Sequence, residues 1–368
     1  GLNTRTDQED DISGYIGEVD LEMLYRSEIS TLSIQPILRT RAYDSEIDRD
    51  SDDQFLNLRG RRDGEASALG FRASYGRESV RTAELADAGL DTDLDPDEID
   101  DDETGRVDTR DRRERFRVVP YWTYRFSNVS SIRADVGYLD VRYESVDPDL
   151  TSNLVDFTDI RGNLSYQRAL SARNTGVIRL TARNYQTERT VGGDISGYGV
   201  SLGLNRELTE TTTLRALIGV EETETFIGSN EPNWVGDFSI VRRQQTTQLL
   251  AQYRQRISAS GRGFLVKRNE VNLRFMRDLN DRFSAGLGAR AYQTDTLADV
   301  TLETNYVQLH GQLLWQLSNA FSIRANYRYT VLERSRDGEG ANSNRFTLWF
   351  TYQPNSRSRL SFQEQGNL

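Results

Sequence analysis

The sequence predicts an all-β protein: a transmembrane antiparallel up-and-down β-barrel of about 18 strands, with 16 as the alternative count. Three observations indicate this fold. Apolar and polar residues alternate along many segments, short polar turns recur at a nearly constant interval, and the apolar face carries aromatic and small side chains while the polar face carries arginine. We expect residues 1–368 to form a single domain.

The alternation is clearest in the segment from Phe321 to Val331, where every second residue is apolar. A period of two is the signal of a β-strand with two unlike faces. A soluble sheet would bury the apolar face and expose the arginines, whereas a membrane barrel would turn the apolar face to lipid and the arginines inward. The pattern alone permits both orientations.

Composition narrows the class of protein. Mean hydropathy is -0.66, 28% of residues are charged, and no apolar run approaches the roughly 20 residues of a membrane-spanning helix. A barrel needs no such run, because only half of its side chains face lipid. The absence of cysteine excludes disulfides and thiolate metal sites. A net charge of -11 disfavours nucleic acid as a partner.

The turns supply the strand count. Short polar breaks near Ser27, Asp63, Asn128, Ser171, Thr209, Gln244, Asn280 and Ser318 are spaced by roughly 35 to 43 residues, except for one interval of roughly 65. Longer polar connections alternate with them, as in outer-membrane barrels with short periplasmic turns and long extracellular loops. The eight turns predict sixteen strands. A closing strand at 344–352 and the end of a first strand at 1–6 bring the count to 18.

The long interval contains an acidic segment, which we predict to be an extracellular loop over about 83–111. The spacing of Asp91, Asp93 and Asp95 resembles that of calcium ligands, but the segment lacks the glycine and the distant glutamate of a calcium loop. A solvated loop therefore accounts better for these residues than a metal site. No cofactor is expected.

Three features favour lipid contact over a soluble core. Aromatic residues such as Trp122 and Phe350 collect near strand ends on the apolar face, small residues such as Ala285 are common there, and so many hairpin-joined strands suit a closed cylinder. We therefore expect the bacterial outer membrane as the location, with its lipid and lipopolysaccharide as partners. Pro36, Pro120 and a slip of the alternation at 138–139 predict local bulges.

The polar face predicts a basic lumen. Eight acids are expected to point inward, namely Glu18, Asp20, Glu22, Asp135, Asp140, Asp159, Glu221 and Asp278, against twice as many arginines. Such arginines would concentrate anionic solutes or, alternatively, pair with lumen acids to keep the wall rigid. The predicted lumen-lining set is Arg39, Arg41, Arg59, Arg61, Arg72, Arg117, Arg125, Arg161, Arg179, Arg183, Arg215, Arg254, Arg274, Arg290, Arg324 and Arg328.

An enzymatic role finds little support. The single histidine, His310, is predicted to point inward among glutamines, where a hydrogen-bonding role is favoured over catalysis. Gly197, Gly199 and Gly203 fall inside a predicted strand, so they do not form a phosphate-binding loop. No catalytic residue is predicted.

Several segments together resemble the outer-membrane β-barrels encoded with exopolysaccharide export systems, the β-barrel porin 2 type. They are the opening "GLNTRTDQEDD", the hairpin from Leu56 with its acidic loop, and the paired segment "RRERFRVVPYWTYRFSNVSSIRADVGYLDVRYES". The resemblance implies a porin-like barrel that passes polysaccharide together with a periplasmic export component. The alternatives are a structural or adhesion barrel with a filled lumen and partner-binding acidic loops, and a general anion-preferring porin.

Overall fold

The computed structural model describes residues 13–44, 50–80, 111–145, 154–188, 194–224, 230–297, 303–334 and 340–354. It contains 18 strands in one antiparallel sheet, and consecutive strands pair from β3 to β18, which confirms the predicted barrel. The strands are β1 (Ser13–Asp20), β2 (Met23–Arg26), β3 (Ser30–Asp44), β4 (Ser51–Asp63), β5 (Ser67–Ser79), β6 (Arg112–Ser127), β7 (Ser130–Glu144), β8 (Phe157–Ser171), β9 (Asn174–Thr187), β10 (Ile195–Thr209), β11 (Thr212–Glu224), β12 (Asn230–Arg243), β13 (Thr247–Ser260), β14 (Phe264–Asn280), β15 (Phe283–Thr296), β16 (Glu303–Gln316), β17 (Phe321–Arg334) and β18 (Gly340–Tyr352).

The first pass of the chain is divided between β1 and β2, which both pair with β3. The division falls at Leu21 and Glu22, and Leu21 donates its amide to the carbonyl of Pro36 at 3.1 Å. Pro36 has no N–H to return, so the ladder is interrupted there. The expected bulge at Pro36 is therefore wrong, because a break in the neighbouring strand replaces it. The strand end predicted at 1–6 lies outside the described residues.

The eight predicted short turns all join neighbouring strands at one rim of the sheet. Side chains hold several of them closed. The Asn280 carboxamide oxygen accepts hydrogen bonds from the amides of Arg282 and Phe283 at 2.9 and 3.1 Å, and the Ser318 hydroxyl accepts from the Phe321 amide at 3.2 Å. Asparagine and serine favour turns because their side chains satisfy local backbone donors in this way.

The other two expected bulges are also wrong. The pairing of β6 with β7 lacks the pairs of Val119 and Pro120 but resumes in the same register, and Tyr138 and Leu139 lie in continuous register with β6 and β8. Register shifts occur instead at turn ends, such as Arg125/Ser127. The missing donor of Pro120 interrupts the ladder locally without displacing the strand. The change of pattern at 138–139 has another cause, given below.

The sheet curls until its ends approach each other. Arg345 on β18 donates a hydrogen bond to the Tyr43 hydroxyl on β3 at 2.8 Å, across 302 positions of sequence. Closure places one face of every strand around an interior and the other on the outside.

The outer face carries the apolar half of each strand. Phe350 is 74% exposed, and aromatic side chains pack against one another around the short-turn rim. The ring centroids lie 6.0 Å apart in the Phe126–Tyr166 pair and 4.8 Å apart in the Phe321–Tyr352 pair. Such a band is stable only against lipid, where an aromatic girdle marks the interface. No helix in the described ranges has the length and apolar character needed to cross a membrane.

Two adjacent residues at mid-depth of β11 test this orientation. Ile218 faces outward and is 63% exposed, whereas Leu217 faces the interior opposite Asp237. We expect Ile218→Arg to lower the free energy of unfolding by about 2–4 kcal/mol, because it places a guanidinium in hydrocarbon. Leu217→Arg should cost much less. Urea unfolding of the barrel in lipid vesicles measures both, and equal losses would contradict the assigned faces.

Candidate functional site

The interior holds a cavity of about 1640 Å³. The first pass of the chain and strands β3 to β13 line it, with Met276 added from β14. It reaches from side chains at the short-turn rim, such as Arg125 and Gln244, up to Ser258 and Ala259 near the end of the β13–β14 hairpin. The cavity is therefore a vestibule on one side of the lumen.

Strand alternation places all sixteen predicted lumen arginines on the inner face, in two groups. Those that line the cavity are Arg59, Arg61, Arg72, Arg117, Arg125, Arg161, Arg179, Arg215 and Arg254. Those that lie elsewhere on the inner face are Arg39, Arg41, Arg183, Arg274, Arg290, Arg324 and Arg328.

Several inner arginines form ion pairs with wall acids. Arg39 bonds to Glu18 at 2.6 Å, Arg41 to Asp53, Arg183 to Asp159 at 2.7 Å, Arg254 to Asp237 at 3.0 Å and Arg290 to Glu270 at 2.7 Å. These pairs join neighbouring strands and satisfy charges that would be costly to bury alone. These arginines therefore pair with lumen acids and keep the wall rigid, which is the second of the two roles considered from the sequence.

A second set lacks such partners. In the part of the chain that the structure describes, no carboxylate lies within ion-pair distance of Arg72, Arg117 or Arg215. Among the described residues, Arg179 donates to the Ser165 hydroxyl, at 3.3 Å. Arg72 also lies directly opposite Arg59 on the neighbouring strand, a like-charge pair that is unfavourable in isolation. These guanidinium groups are available to an anion in the cavity.

The structure adds inner charges that the sequence prediction missed. The Glu270 carboxylate is 3% exposed and forms ion pairs with Arg256 at 3.5 Å and Arg268 at 3.1 Å, in addition to the pair with Arg290. Arg113 pairs with Glu78 at 2.7 Å. The alternation of faces along each strand could have identified these charged residues, because residues an even number apart share a face and Arg113 is four residues from Arg117.

One predicted inward acid lies on the other face. Asp140 bonds to Arg142 at 3.1 Å and to the Tyr138 hydroxyl at 3.3 Å, and both partners point outward. The inward prediction depended on a phase slip at 138–139 that does not occur. Asp140 is therefore not a lumen residue.

The end of the β13–β14 hairpin closes the cavity from the long-loop side. Residues 258–267 are one of the longer polar connections expected to alternate with the short turns, but the strands continue to a tight turn in which the Gly263 amide donates to the Ser260 carbonyl at 3.0 Å. Gly263 has φ of 81°, which glycine adopts without strain. We call residues 255–266 the hairpin tip.

The hairpin tip packs against the inner wall of β7 to β10. Its residues Ile257, Ala259 and Leu265 are at most 3% exposed, and they join an apolar cluster with wall residues that face the interior. The wall residues are Leu139, Val141, Phe157, Tyr185 and Ile195. The apolar residues at 139 and 141 therefore point inward in unbroken register, which explains the apparent phase slip.

Polar contacts fix the hairpin tip as well. The Ile257 carbonyl accepts hydrogen bonds from Arg161 at 3.1 Å and from Arg183 at 3.0 Å, and the Gly261 carbonyl accepts from the Val155 amide at 2.8 Å. Arg183 is itself held by Asp159 through two contacts of 2.7 and 2.8 Å. The hairpin tip, which belongs to two strands of the barrel wall, thus narrows the lumen.

The remaining candidates are placed as follows. His310 faces the interior on β16, with its ring over Gly288 of β15, so that a Cβ at Gly288 would overlap the imidazole. The glycines of β10 lie within a strand, as predicted. The acidic loop at about 83–111 and the calcium-like Asp91, Asp93 and Asp95 lie outside the described residues, except for Asp111.

No family model and no curated protein matches this sequence. Solved structures do match. The FrpB iron transporter from Neisseria meningitidis (F5-1 variant) aligns with a TM-score of 0.54 and 8% identity over 94% of this chain and 67% of that one. Its F3-3 variant aligns with a TM-score of 0.50 and 9% identity over 89% and 63%. This chain thus spans about two thirds of the length of these structures.

At such identities the likeness concerns the fold. The protein has the fold of outer-membrane β-barrels, and its exposed apolar outer face agrees with the outer-membrane location that the sequence predicts. Neither the transported molecule nor the site residues of the solved structures carry over.

The buried Arg183–Asp159 pair provides a test of the wall that holds the hairpin tip. Asp159→Asn removes the charge that compensates a guanidinium whose side chain is 1% exposed. We expect a loss of about 3–5 kcal/mol in the free energy of unfolding. Adding Arg183→Met should recover part of it, because no buried charge then remains. Urea titration measures both, and a neutral single variant would contradict the strength assigned to this pair.

Proposed function

We propose that this barrel conducts acidic exopolysaccharide outward across the outer membrane. The observation that carries the proposal is that three arginines along the cavity, Arg72, Arg117 and Arg215, have no carboxylate within ion-pair distance among the described residues. Guanidinium groups bind carboxylate, sulfate and phosphate in bidentate fashion, and a row of them raises the local concentration of anions.

Two further points support a polymer, and not a small anion, as the transported molecule. The cavity is bordered by many separate arginines instead of one compact cradle, which suits a chain that carries repeated charges. The resemblance of the sequence to exopolysaccharide-export barrels points the same way, and it includes a periplasmic export component as partner. The barrel fold shared with outer-membrane transporters supports transport in general. We assign no catalytic role to His310.

A general anion-preferring porin is the second candidate, because the same arginines would also favour chloride or phosphate. Export of polymer and diffusion of small anions differ in what crosses the membrane. The two are separated by comparing oligogalacturonate with a neutral glucan of similar size in liposomes: the polysaccharide proposal requires selective passage of the acidic chain. Passage of small anions alone would favour the porin. A filled structural or adhesion barrel would pass neither.

Ion selectivity tests the basic cavity directly. We expect planar-bilayer currents to prefer anions, and the triple variant R72Q/R117Q/R215Q to lose most of this preference. The control R62Q/R242Q/R277Q removes the same charge from the outer face, where these arginines point away from the cavity. It should leave selectivity unchanged. Cation selectivity in the unmodified barrel would contradict the proposal.

In the producing bacterium, deletion of the gene should retain acidic polymer in the periplasm and deplete it outside the cell. Complementation with the outer-face control should restore the external polymer, whereas the cavity variant should restore it only partly. Quantifying uronic acid in the two fractions measures this. Unchanged external polymer in the deletion strain would exclude the export role.

A further inference from the structure

We propose that the inner face of β10 to β12, which we call the saccharide strip, binds a stretch of the polymer. At one end Arg215 and Ser239 bind an acidic substituent, and at the other end the Glu221 carboxylate accepts hydrogen bonds from sugar hydroxyls. All three residues line the cavity. The inference deepens the proposed function and rests on it for the saccharide nature of the cargo.

The saccharide strip follows β11 away from the short-turn rim. Arg215 lies three residues after the start of β11 and Glu221 six residues further, which places them roughly 20 Å apart along the strand. An extended oligosaccharide of several rings spans this distance. The inner residues of the strip are Arg215, Leu217, Gly219 and Glu221 on β11, Asn205, Gly203, Ser201 and Gly199 on β10, and Ser239, Asp237, Val235 and Asn233 on β12.

The Glu221 carboxylate is buried without a basic partner. Glu221 is 7% exposed, and neither an ion pair nor a hydrogen bond to its Oε1 atom occurs among the described residues. By contrast, Asp159 and Asp237 in the same cavity pair with Arg183 and Arg254 at 2.7 and 3.0 Å. Burying a carboxylate without compensation is costly, and a ligand that donates hydrogen bonds offsets this cost.

Sugar hydroxyls are the donors that fit Glu221. An ionised carboxylate only accepts hydrogen bonds, and two neighbouring hydroxyls of a sugar ring can each donate to one of its oxygens. In the part of the chain that the structure describes, no group of three acidic or histidine side chains is placed to hold a metal ion. A polyol therefore suits this position better than a metal. Glu221 also repels inorganic anions, which distinguishes the strip from a plain anion pathway.

The Arg215 end is arranged to bind an anion. Among the described residues no carboxylate lies within ion-pair distance of Arg215, which faces Ser239 on β12 and Asn205 on β10. Ser239 is 1% exposed, and its hydroxyl has no hydrogen-bond partner in the same ranges. Opposite residues of an antiparallel pair have Cβ atoms about 5 Å apart. A carboxylate can therefore bind the guanidinium and accept from the Ser239 hydroxyl at the same time.

The middle of the saccharide strip offers a smooth floor. Gly219 has to be glycine, because a Cβ there would overlap the Ser201 hydroxyl and the Val200 carbonyl oxygen. Gly203 faces Leu217 on the neighbouring strand, so the inner wall between the two polar ends is small and apolar. Binding sites for small organic molecules combine such a surface with a few polar groups that fix orientation. The C–H face of a sugar ring suits this floor.

Block of the potassium chloride current through single barrels in planar bilayers measures binding to the strip. Maltohexaose serves as the neutral probe and hexagalacturonate as the acidic probe. We expect Glu221→Ala to weaken the affinity for both probes about tenfold, as the loss of a hydrogen bond to a charged group implies. Arg215→Gln should weaken the affinity for hexagalacturonate by a similar factor and leave that for maltohexaose unchanged.

Glu222→Gln is the matched control. Glu222 is the next residue on β11 and turns to the outer face, opposite Tyr198 and Pro232. Its substitution should leave both affinities unchanged. If Glu221→Ala and Glu222→Gln have the same effect on both probes, the saccharide strip is overturned.

Unfolding in urea separates a binding role of Glu221 from a structural one. Removal of a buried carboxylate without a basic partner should leave the free energy of unfolding unchanged or raise it. Glu221→Gln keeps the shape of the side chain, and it should weaken maltohexaose binding in the same direction as Glu221→Ala. If either variant unfolds more easily while both affinities stay unchanged, Glu221 belongs to the wall and the inference is overturned.

Two other results would contradict the saccharide strip. If Glu221→Ala strengthens the binding of hexagalacturonate and leaves that of maltohexaose unchanged, Glu221 only repels anions. If neither probe blocks the unmodified barrel, the strip does not bind saccharides.

Failure of the proposed function gives a different result. If block by maltohexaose depends on Glu221 but galacturonate polymer does not cross the unmodified barrel in liposomes, the strip binds saccharides and acidic polymer is not the cargo. If the polymer crosses the unmodified barrel and the Glu221→Ala variant equally fast, with unchanged block by both probes, export stands and the strip is overturned.

Discussion

Lipid cannot satisfy backbone hydrogen-bonding groups, and the whole structure depends on this constraint. Every strand from β3 to β18 pairs with its chain neighbours, and a side-chain hydrogen bond from Arg345 to Tyr43 brings the last strand to the third. Only a closed antiparallel sheet supplies every partner without water. Tight turns at one rim follow from this requirement, and so does the division of side chains into a lipid face and an interior face.

The interior face performs two tasks with one residue type. Where an acid on a neighbouring strand is available, as Asp159 is for Arg183, arginine stabilises the wall. Where the described strands offer no such acid, as at Arg72 and Arg215, the guanidinium faces the cavity and favours anions. Arginine suits both tasks because it stays charged and binds carboxylates in a fixed geometry.

Sequence patterns predicted the barrel, the eight turns and the inner position of the arginines, because each depends on local alternation or on turn chemistry. The predictions from these patterns that proved wrong also concern local features. Pro36 and Pro120 were expected to produce bulges, yet the loss of one donor is absorbed by a gap in the ladder with the neighbouring strand. Leu139 and Val141 were interpreted as a slip, although they point inward toward the hairpin tip.

By itself the sequence determined the strand period, the short turns and which residues share a face, since all three are set by neighbours along the chain. Only the tertiary structure decided which arginines are neutralised and that residues 255–266 cross to the inner wall. Those outcomes depend on side chains that meet across strands far apart in sequence, as Arg161 and Ile257 do over 96 positions. Alternation places a residue on a face but carries no information about its partner across the lumen.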